Sequence, residues 1–452
     1  MLLSALPHSL VLLLIVSAPS LASASTKKSS LLKRASHFAT RQTTSLARDL
    51  RVAFGGVLPR STASGSVPGV IYCKSGAGAF TGSASSSSGN GSASGNGSGG
   101  TGGNSANTTA SSVLGSSATK KGSSPTGTGT AAGATTTASS AWHLTQSYEG
   151  SSFFDGFTFW DTSDPTHGTV QYLSRADGES ANLVSTDAST GNAIMRVETT
   201  PTVATARKSI RITTNFAFTG GLVIMDAVHM PTGCGTWPAF WSNGPNWPTG
   251  GEIDIVEGVN DYTNNQATIH TAPGCALPTD DPAQLGASAA AVTGGTDCAA
   301  ATSGNAGCGM QSKSSVSLGE GFNSAGGGVY AMQWDSTGIS VFFFGRGAIP
   351  GDITAQAPQP KSWGLPMAHW PASDCNPWKY FYEHVAIFDT TLCGDWAGSV
   401  WTGSGTPGQE QSCATRTGFS TCEAFVLASG GSFAQAYWEV KSLKFYNTTA
   451  PL

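Results

Sequence analysis

Gly250-Gly251-Glu252-Ile253-Asp254-Ile255-Val256-Glu257-Gly258 puts three acids into a run whose other residues, glycines aside, are Ile and Val. Side chains of that kind suit a pleated, half-buried strand, and the glycines mark its two ends. Such a run belongs in a sheet core, where a carboxylate is costly to bury unless it is paired, hydrogen-bonded or held for chemistry. Side chains alternate along a strand, so Glu252 and Asp254 share a face while Glu257 has the wrong parity. One extra residue, a β-bulge, returns Glu257 to that face, and bulges favour functional sites.

Working outward, similar short runs recur at Ile210 to Phe216, Leu222 to Val228, Gln266 to Thr271, Val329 to Trp334, Ile339 to Phe344, Tyr382 to Phe388 and Tyr437 to Tyr446. Clusters of Gly, Pro, Asn and Asp separate them. Only the Ala-rich stretch from Pro282 to Val292 hints at a helix, and it lacks an amphipathic stripe. The expectation is an all-β fold, a sandwich, jelly roll or barrel. Composition agrees, because 11% charged residues against roughly 25% in an average soluble domain disfavours helical bundles and coiled coils.

Aromatic residues return abruptly at Trp142, and residues 142–452 are long enough for one well-buried core. Residues 74–141 are almost entirely Gly, Ser, Thr, Ala and Asn, which cannot offset chain entropy by burial and read as a flexible linker. Residues 25–73 carry Lys27, Lys28, Lys33, Arg34, Arg41, Arg48, Arg51 and Arg60 against the single acid Asp49, a basic pro-segment or disordered region. Residues 1–24 hold an apolar run from Leu10 to Val16 followed by Ala22-Ser23-Ala24, the pattern of a signal peptide, too short to span a bilayer. The expected location is therefore secreted, extracellular or in a cell wall, with no membrane attachment after cleavage. Sequons at Asn90, Asn96, Asn107 and Asn447 suit glycosylation there.

Residues 142–452 hold 12 Lys and Arg against 26 Asp and Glu, a net charge of about −14. Nucleic acid is an unsuitable partner, since phosphate binding needs a basic surface, whereas a neutral polymer makes no such demand. Among nine cysteines, none forms a CxxC pair or sits beside a His at metal-ligand spacing, which excludes a zinc finger or thioredoxin-type site. Eight lie beyond residue 200 and can pair as disulfides in 105 ways; Cys73 is the odd one. A calcium site is the chemical alternative for the acids, but Ile and Val between them suit a strand better than an oxygen-rich loop. No metal and no cofactor is expected.

Three acids on one sheet face match the needs of a retaining glycosidase: a nucleophile, an acid/base roughly 5–5.5 Å away, and a third group tuning their protonation. Gly233-Cys234-Gly235-Thr236-Trp237-Pro238-Ala239-Phe240-Trp241, then Asn246-Trp247-Pro248-Thr249, and the acidic run itself closely resemble glycoside hydrolase family 16 in its fungal laminarinase-like branch. The resemblance extends over about residues 142–447 and includes Asp164-Pro165-Thr166-His167-Gly168, Cys393-Gly394-Asp395-Trp396-Ala397-Gly398 and Ala434-Gln435-Ala436-Tyr437-Trp438. It implies a β-jelly-roll sandwich with a concave substrate cleft, with Glu252 as nucleophile, Asp254 as assisting carboxylate and Glu257 as general acid/base. The extra residue, Val256, also resembles that branch.

Flat indoles stack well on pyranose faces. The resemblance favours Trp241, Trp247 and Trp396 at sugar subsites, while Trp237 reads equally as core support. Arg211, a charge inside a strand-like run, corresponds to the family's substrate-binding arginine; a surface cross-strand ion pair is the simpler reading. His270 falls on the next expected strand and, in the family, near the acids. The implied activity is a secreted endo-β-1,3(4)-glucanase cleaving β-1,3- or mixed β-1,3-1,4-glucans by double displacement, acting as a monomer on β-glucan. Alternatives are a wall β-glucan transglycosylase and a non-catalytic glucan-binding protein.

Overall fold

A computed structural model of the chain describes residues 140–448. The signal segment, the basic segment, Cys73 and the sequons at Asn90, Asn96 and Asn107 lie outside the described residues. In chain order the strands are β1 (Trp142–Glu149), β2 (Phe157–Phe159), β3 (Val170–Tyr172), β4 (Val184–Thr186), β5 (Ala193–Arg196) and β6 (Arg207–Ser209). Then come β7 (Arg211–Thr214), β8 (Gly221–His229), β9 (Thr236–Asn243), β10 (Glu252–Glu257), β11 (Gln266–His270) and β12 (Ala291–Thr293). The last are β13 (Cys308–Gln311), β14 (Gly328–Asp335), β15 (Gly338–Gly345), β16 (Ala368–Pro371), β17 (Val385–Leu392) and β18 (Tyr437–Thr448).

These build two eight-stranded antiparallel sheets. One runs β16-β15-β14-β8-β18-β5-β4 with β1 also on β18; the other runs β12-β13-β11-β10-β9-β17-β7-β2. Strands β3 and β6 form a separate parallel pair. The core lies between the two large sheets: Ile212, Phe240, Ile253, Ile255 and Phe388 from the second meet Met225, Met332, Trp334 and Trp438 from the first. Phe388 stacks on Phe240 at 4.5 Å and meets Trp438 edge-on at 5.5 Å, which ties the layers together. Burying each such side chain contributes about 1.5–3 kcal/mol. The all-β sandwich is the expected fold.

Two departures from the sequence reading matter. Pro282 to Val292 forms no helix: residues 282–286 are turns and Ala291 begins β12. Strand β9 was not foreseen, because Pro238 interrupts its reading. Pro238 is tolerated there since β10 stops pairing with β9 at Ala239, one residue earlier, so the missing N–H breaks no bond on that side. Four disulfides, Cys234–Cys413, Cys275–Cys375, Cys298–Cys308 and Cys393–Cys422, tie loops to this frame.

Candidate active site

The chemistry sits on the face of the second sheet turned away from the core, and strand register assembles it. Glu252 lies opposite His270 on β11 and Asn243 on β9; Asp254 lies opposite Thr268 and Trp241. The register then steps: Val256 faces Phe240 and Glu257 faces Ala239, so Ile255 has no partner of its own on β9. The bulge expected at Val256 thus falls at Ile255. Its result is that Ile255 and Val256 are both buried in the core while Glu257 rejoins the face of Glu252 and Asp254. Asn265, fully buried, stabilises the step, accepting from the Glu257 N–H at 2.9 Å and donating to the Ile255 carbonyl at 2.9 Å. At the strand's start Gly251 has φ +77°, and a Cβ there would lie 2.3 Å from the Phe381 ring, so only glycine fits.

Two indoles fix the outer acids. Trp247 donates through Nε1 to Glu252, and Trp237 donates through Nε1 to Glu257 Oε1 at 2.9 Å. Asp254 sits between them, with His270 Nε2 3.3 Å from its Oδ2. Burial, with the nearby Asp389 carboxylate adding to it and a hydrogen bond with Glu252 opposing it, pushes the Asp254 carboxyl up to about 8, so at neutral pH it retains its proton. His270 is driven the other way, below its ordinary value, by the same burial, and is neutral.

The cavity over this face is lined by the three acids, Trp237, Trp241 and Arg211, with Asp389 and Thr391 of β17 and the turn Asp164-Pro165-Thr166. Arg211 is buried with its guanidinium between the rings of Trp160 at 4.7 Å and Trp241 at 5.1 Å. This is no exposed ion pair; the two ring faces hold the cation, and its Nε has no hydrogen-bond partner among the described residues. Asp389 faces Ala239 across β9 and Arg211 across β7, and accepts from Trp241 Nε1 at 3.1 Å. Burial pushes Asp389 up to about 7, opposed by Arg211 and the Trp241 bond. Asp164 is also raised by burial, its Oδ2 taken by the Gly168 N–H at 2.8 Å and the Thr166 hydroxyl at 2.7 Å.

Glu252, Asp254, Glu257, Trp241, Trp247, Arg211 and His270 therefore gather on or against one cavity. Trp396 does not. It is 1% exposed and meets Trp237 edge-on at 5.8 Å, so it offers no ring face to a ligand and instead backs the indole that holds Glu257. Trp237 supports the sheet and touches an acid at once. Asp389, Asp164, Trp160 and Asn265 were missed by sequence reasoning; the quoted Asp164-Pro165-Thr166-His167-Gly168 motif was the available signal for Asp164. Two groups of side chains could in principle hold a cation. In the first, Cys234 and Cys413 beside Asp261, the sulfurs are joined in a disulfide. In the second, Glu252, Asp254 and His270 offer atoms within 4.8 Å of one another, but Asp254 favours a proton.

The family model described as the XgeA-like, catalytic GH16 domain matches residues 157–446, spanning both sheets and every residue of this cavity. The chain belongs to glycoside hydrolase family 16. A probable glycosidase of Schizosaccharomyces pombe is 43% identical over 311 residues, 68% of this chain and 70% of that protein. An endo-1,3(4)-beta-glucanase of Emericella nidulans is 40% identical over 315 residues, 68% of this chain but only 48% of its own length. Among solved structures, GH16 Laminarinase 16A of Phanerochaete chrysosporium, with 6-O-glucosyl-laminaritriose in donor and acceptor sites, is 36% identical with a TM-score of 0.61 over 68% of this chain and 99% of that one. An elongating family 16 β-1,3-glucosyltransferase is 39% identical with a TM-score of 0.60, covering 68% of this chain and all of that one.

Proposed function

We propose that this family 16 chain is a secreted endo-β-1,3(4)-glucanase that cleaves β-1,3- or mixed β-1,3-1,4-glucans with retention. The observation that carries it is the pair of buried glutamates on one sheet face, each fixed by an indole N–H, with a proton-holding Asp254 between them. Glu252 attacks the anomeric carbon while Glu257 protonates the departing glycosidic oxygen; Glu257 then takes a proton from water, which releases the sugar from Glu252. Asp254 keeps its proton towards Glu252 until the ester forms. Trp241 offers a flat face to a pyranose, and Arg211 offers donors to its hydroxyls. The neutral polymer suits a net charge of about −14 over residues 142–452. Four disulfides favour an oxidising compartment, and no described helix is long and apolar enough to cross a membrane.

A second reading has the ester on Glu252 captured by a sugar hydroxyl rather than water, and the likeness to the elongating glucosyltransferase favours it. The deciding experiment measures reducing-end release and product length from the full chain on laminarin, lichenan, cellulose and chitin, with Glu252→Gln beside it. Release from laminarin or lichenan that disappears in Glu252→Gln is the expected result. Products longer than the starting oligosaccharides favour transglycosylation, and equal inertness with retained glucan binding leaves only a binding protein.

A further inference from the structure

Strand register lays a polar row across the catalytic face. Glu257 on β10 faces Ala239 on β9, Ala239 faces Asp389 on β17, and Asp389 faces Arg211 on β7. With neighbouring strands about 4.8 Å apart, Asp389 stands two strands, roughly 10 Å, from Glu257. Only the Ala239 methyl lies between them in that row, a floor that leaves room for a sugar ring. At the far end Arg211 is 5% exposed, and its guanidinium bonds no oxygen among the described residues: its Nε is buried without a partner, and Asp389 and Asp164 feel it as a nearby charge without hydrogen-bonding to it. A buried cation and a buried carboxyl this close but unjoined are costly unless a third group joins them. Asp389 is held by one oxygen. Trp241 Nε1 donates to its Oδ2 at 3.1 Å, and β17 is paired on both sides, so the carboxyl is fixed while Oδ1 bonds nothing among the described residues.

Because Trp241 takes Oδ2, a proton on Asp389 sits on Oδ1. That oxygen donates when the acid is protonated and accepts when it is ionised, whereas Arg211 only donates. A hydroxyl, which donates and accepts, answers both groups in either state. We infer that Asp389 is a specificity-determining residue: its Oδ1 and the Arg211 guanidinium bracket one glucose hydroxyl of the β-glucan, on the ring that lies over Ala239. The hydroxyl accepts from the guanidinium and exchanges a second hydrogen bond with Asp389. A site built this way rejects a sugar that lacks the hydroxyl, because its own buried polar groups are then left unpaired. The inference rests on the β-glucan reading of the cavity.

The test uses the full chain carrying Glu252→Gln, so that binding is read without turnover, with calorimetry on laminaritriose and its monodeoxy analogues. Adding Asp389→Ala is expected to weaken laminaritriose binding about thirtyfold. Adding Asp389→Asn is expected to change it by less than about threefold, since the amide keeps an oxygen for Trp241 and offers an N–H to the hydroxyl. One monodeoxy analogue is expected to bind the Glu252→Gln parent about thirtyfold more weakly than laminaritriose does, and to bind the Asp389→Ala chain as well as laminaritriose does. That loss of discrimination marks a contact, because a residue that only shapes the sheet would weaken every analogue alike. An Asp389→Ala chain that binds laminaritriose like its parent, or that still discriminates every analogue as its parent does, overturns the inference. So does a parent for which no single hydroxyl matters by more than about threefold, a result that needs no Asp389 variant to fold. Release from laminarin by the wild type, measured alongside, separates the two readings: release with undiscriminating binding overturns this contact alone, and discriminating binding without release overturns the hydrolase while the contact stands.

Discussion

At the scale of single residues, the cavity is a place where burial outweighs charge pairing. Asp164, Asp254 and Asp389 are held above the usual carboxylate range chiefly by desolvation, and Arg211 is the cation that lines the cavity with them. Asp389 shows the consequence for stability. Its carboxyl ordinarily titrates near 3.8 and is pushed up to about 7 in the fold. The folded state therefore holds the proton more tightly, and its contribution is fully present below about 3.8 and is lost as pH rises through about 7, at about 1.4 kcal/mol per unit. Asp389→Asn imitates the protonated form and keeps an acceptor for Trp241. It is expected to match the wild type in thermal stability near pH 4 and to exceed it near pH 8, as read by scanning calorimetry across that range. A wild type that instead gains on the variant with rising pH would mean that Asp389 is ionised and paired with Arg211.

At the scale of elements, the decisive object is the step in β10. Alternation alone tells which residues of Glu252–Glu257 point inward, and it requires a bulge. It cannot say where, because Ile255 and Val256 are both apolar and the register is set by β9, whose own sequence obscures it with Pro238 and three large aromatics. The same limit explains the other misses. Asp389 lies one residue beyond the expected end of its strand at Phe388, Asn265 acts through a neighbouring strand, and an indole's residue type does not reveal that Trp396 faces Trp237 rather than the cleft. The acids and Arg211 were legible because a charge inside a strand-like run is conspicuous, whereas His270, one of several histidines, was picked out only by the family resemblance. Asn265→Ala leaves the buried Glu257 N–H and Ile255 carbonyl without their partner and is expected to cost about 2–4 kcal/mol by denaturant unfolding. It should also lower kcat more than KM, since Glu257 loses its backbone anchor while the sugar-facing rings remain. A stability loss with unchanged kcat would show that Trp237 alone fixes Glu257.

At the scale of the whole molecule, the disulfides separate stability from catalysis. Cys234–Cys413 spans 179 residues and Cys298–Cys308 only 10. By chain-entropy arithmetic the first restrains the unfolded chain by about 5 kcal/mol and the second by about 3. Stability alone therefore ranks the long crosslink first. Activity ranks them the other way, because the short crosslink closes a loop whose Cys308 pairs with Ile269 and whose Gly307 lies against the His270 ring, whereas Cys234 and Cys413 join the turn before β9 to a short helix at Cys413–Thr417, away from the acids. Replacing Cys234 and Cys413 together by Ser is expected to lower Tm the more while leaving kcat of the folded enzyme within about twofold. Replacing Cys298 and Cys308 by Ser is expected to lower Tm less and kcat about tenfold, since the loop at Gly307, which lies against the His270 ring, is then held by backbone bonds alone. Parallel calorimetry and initial rates on laminarin, both below the lower Tm, measure the two orders. If kcat follows Tm across both pairs, the short loop is only a staple, and the frame rather than the loop orients His270.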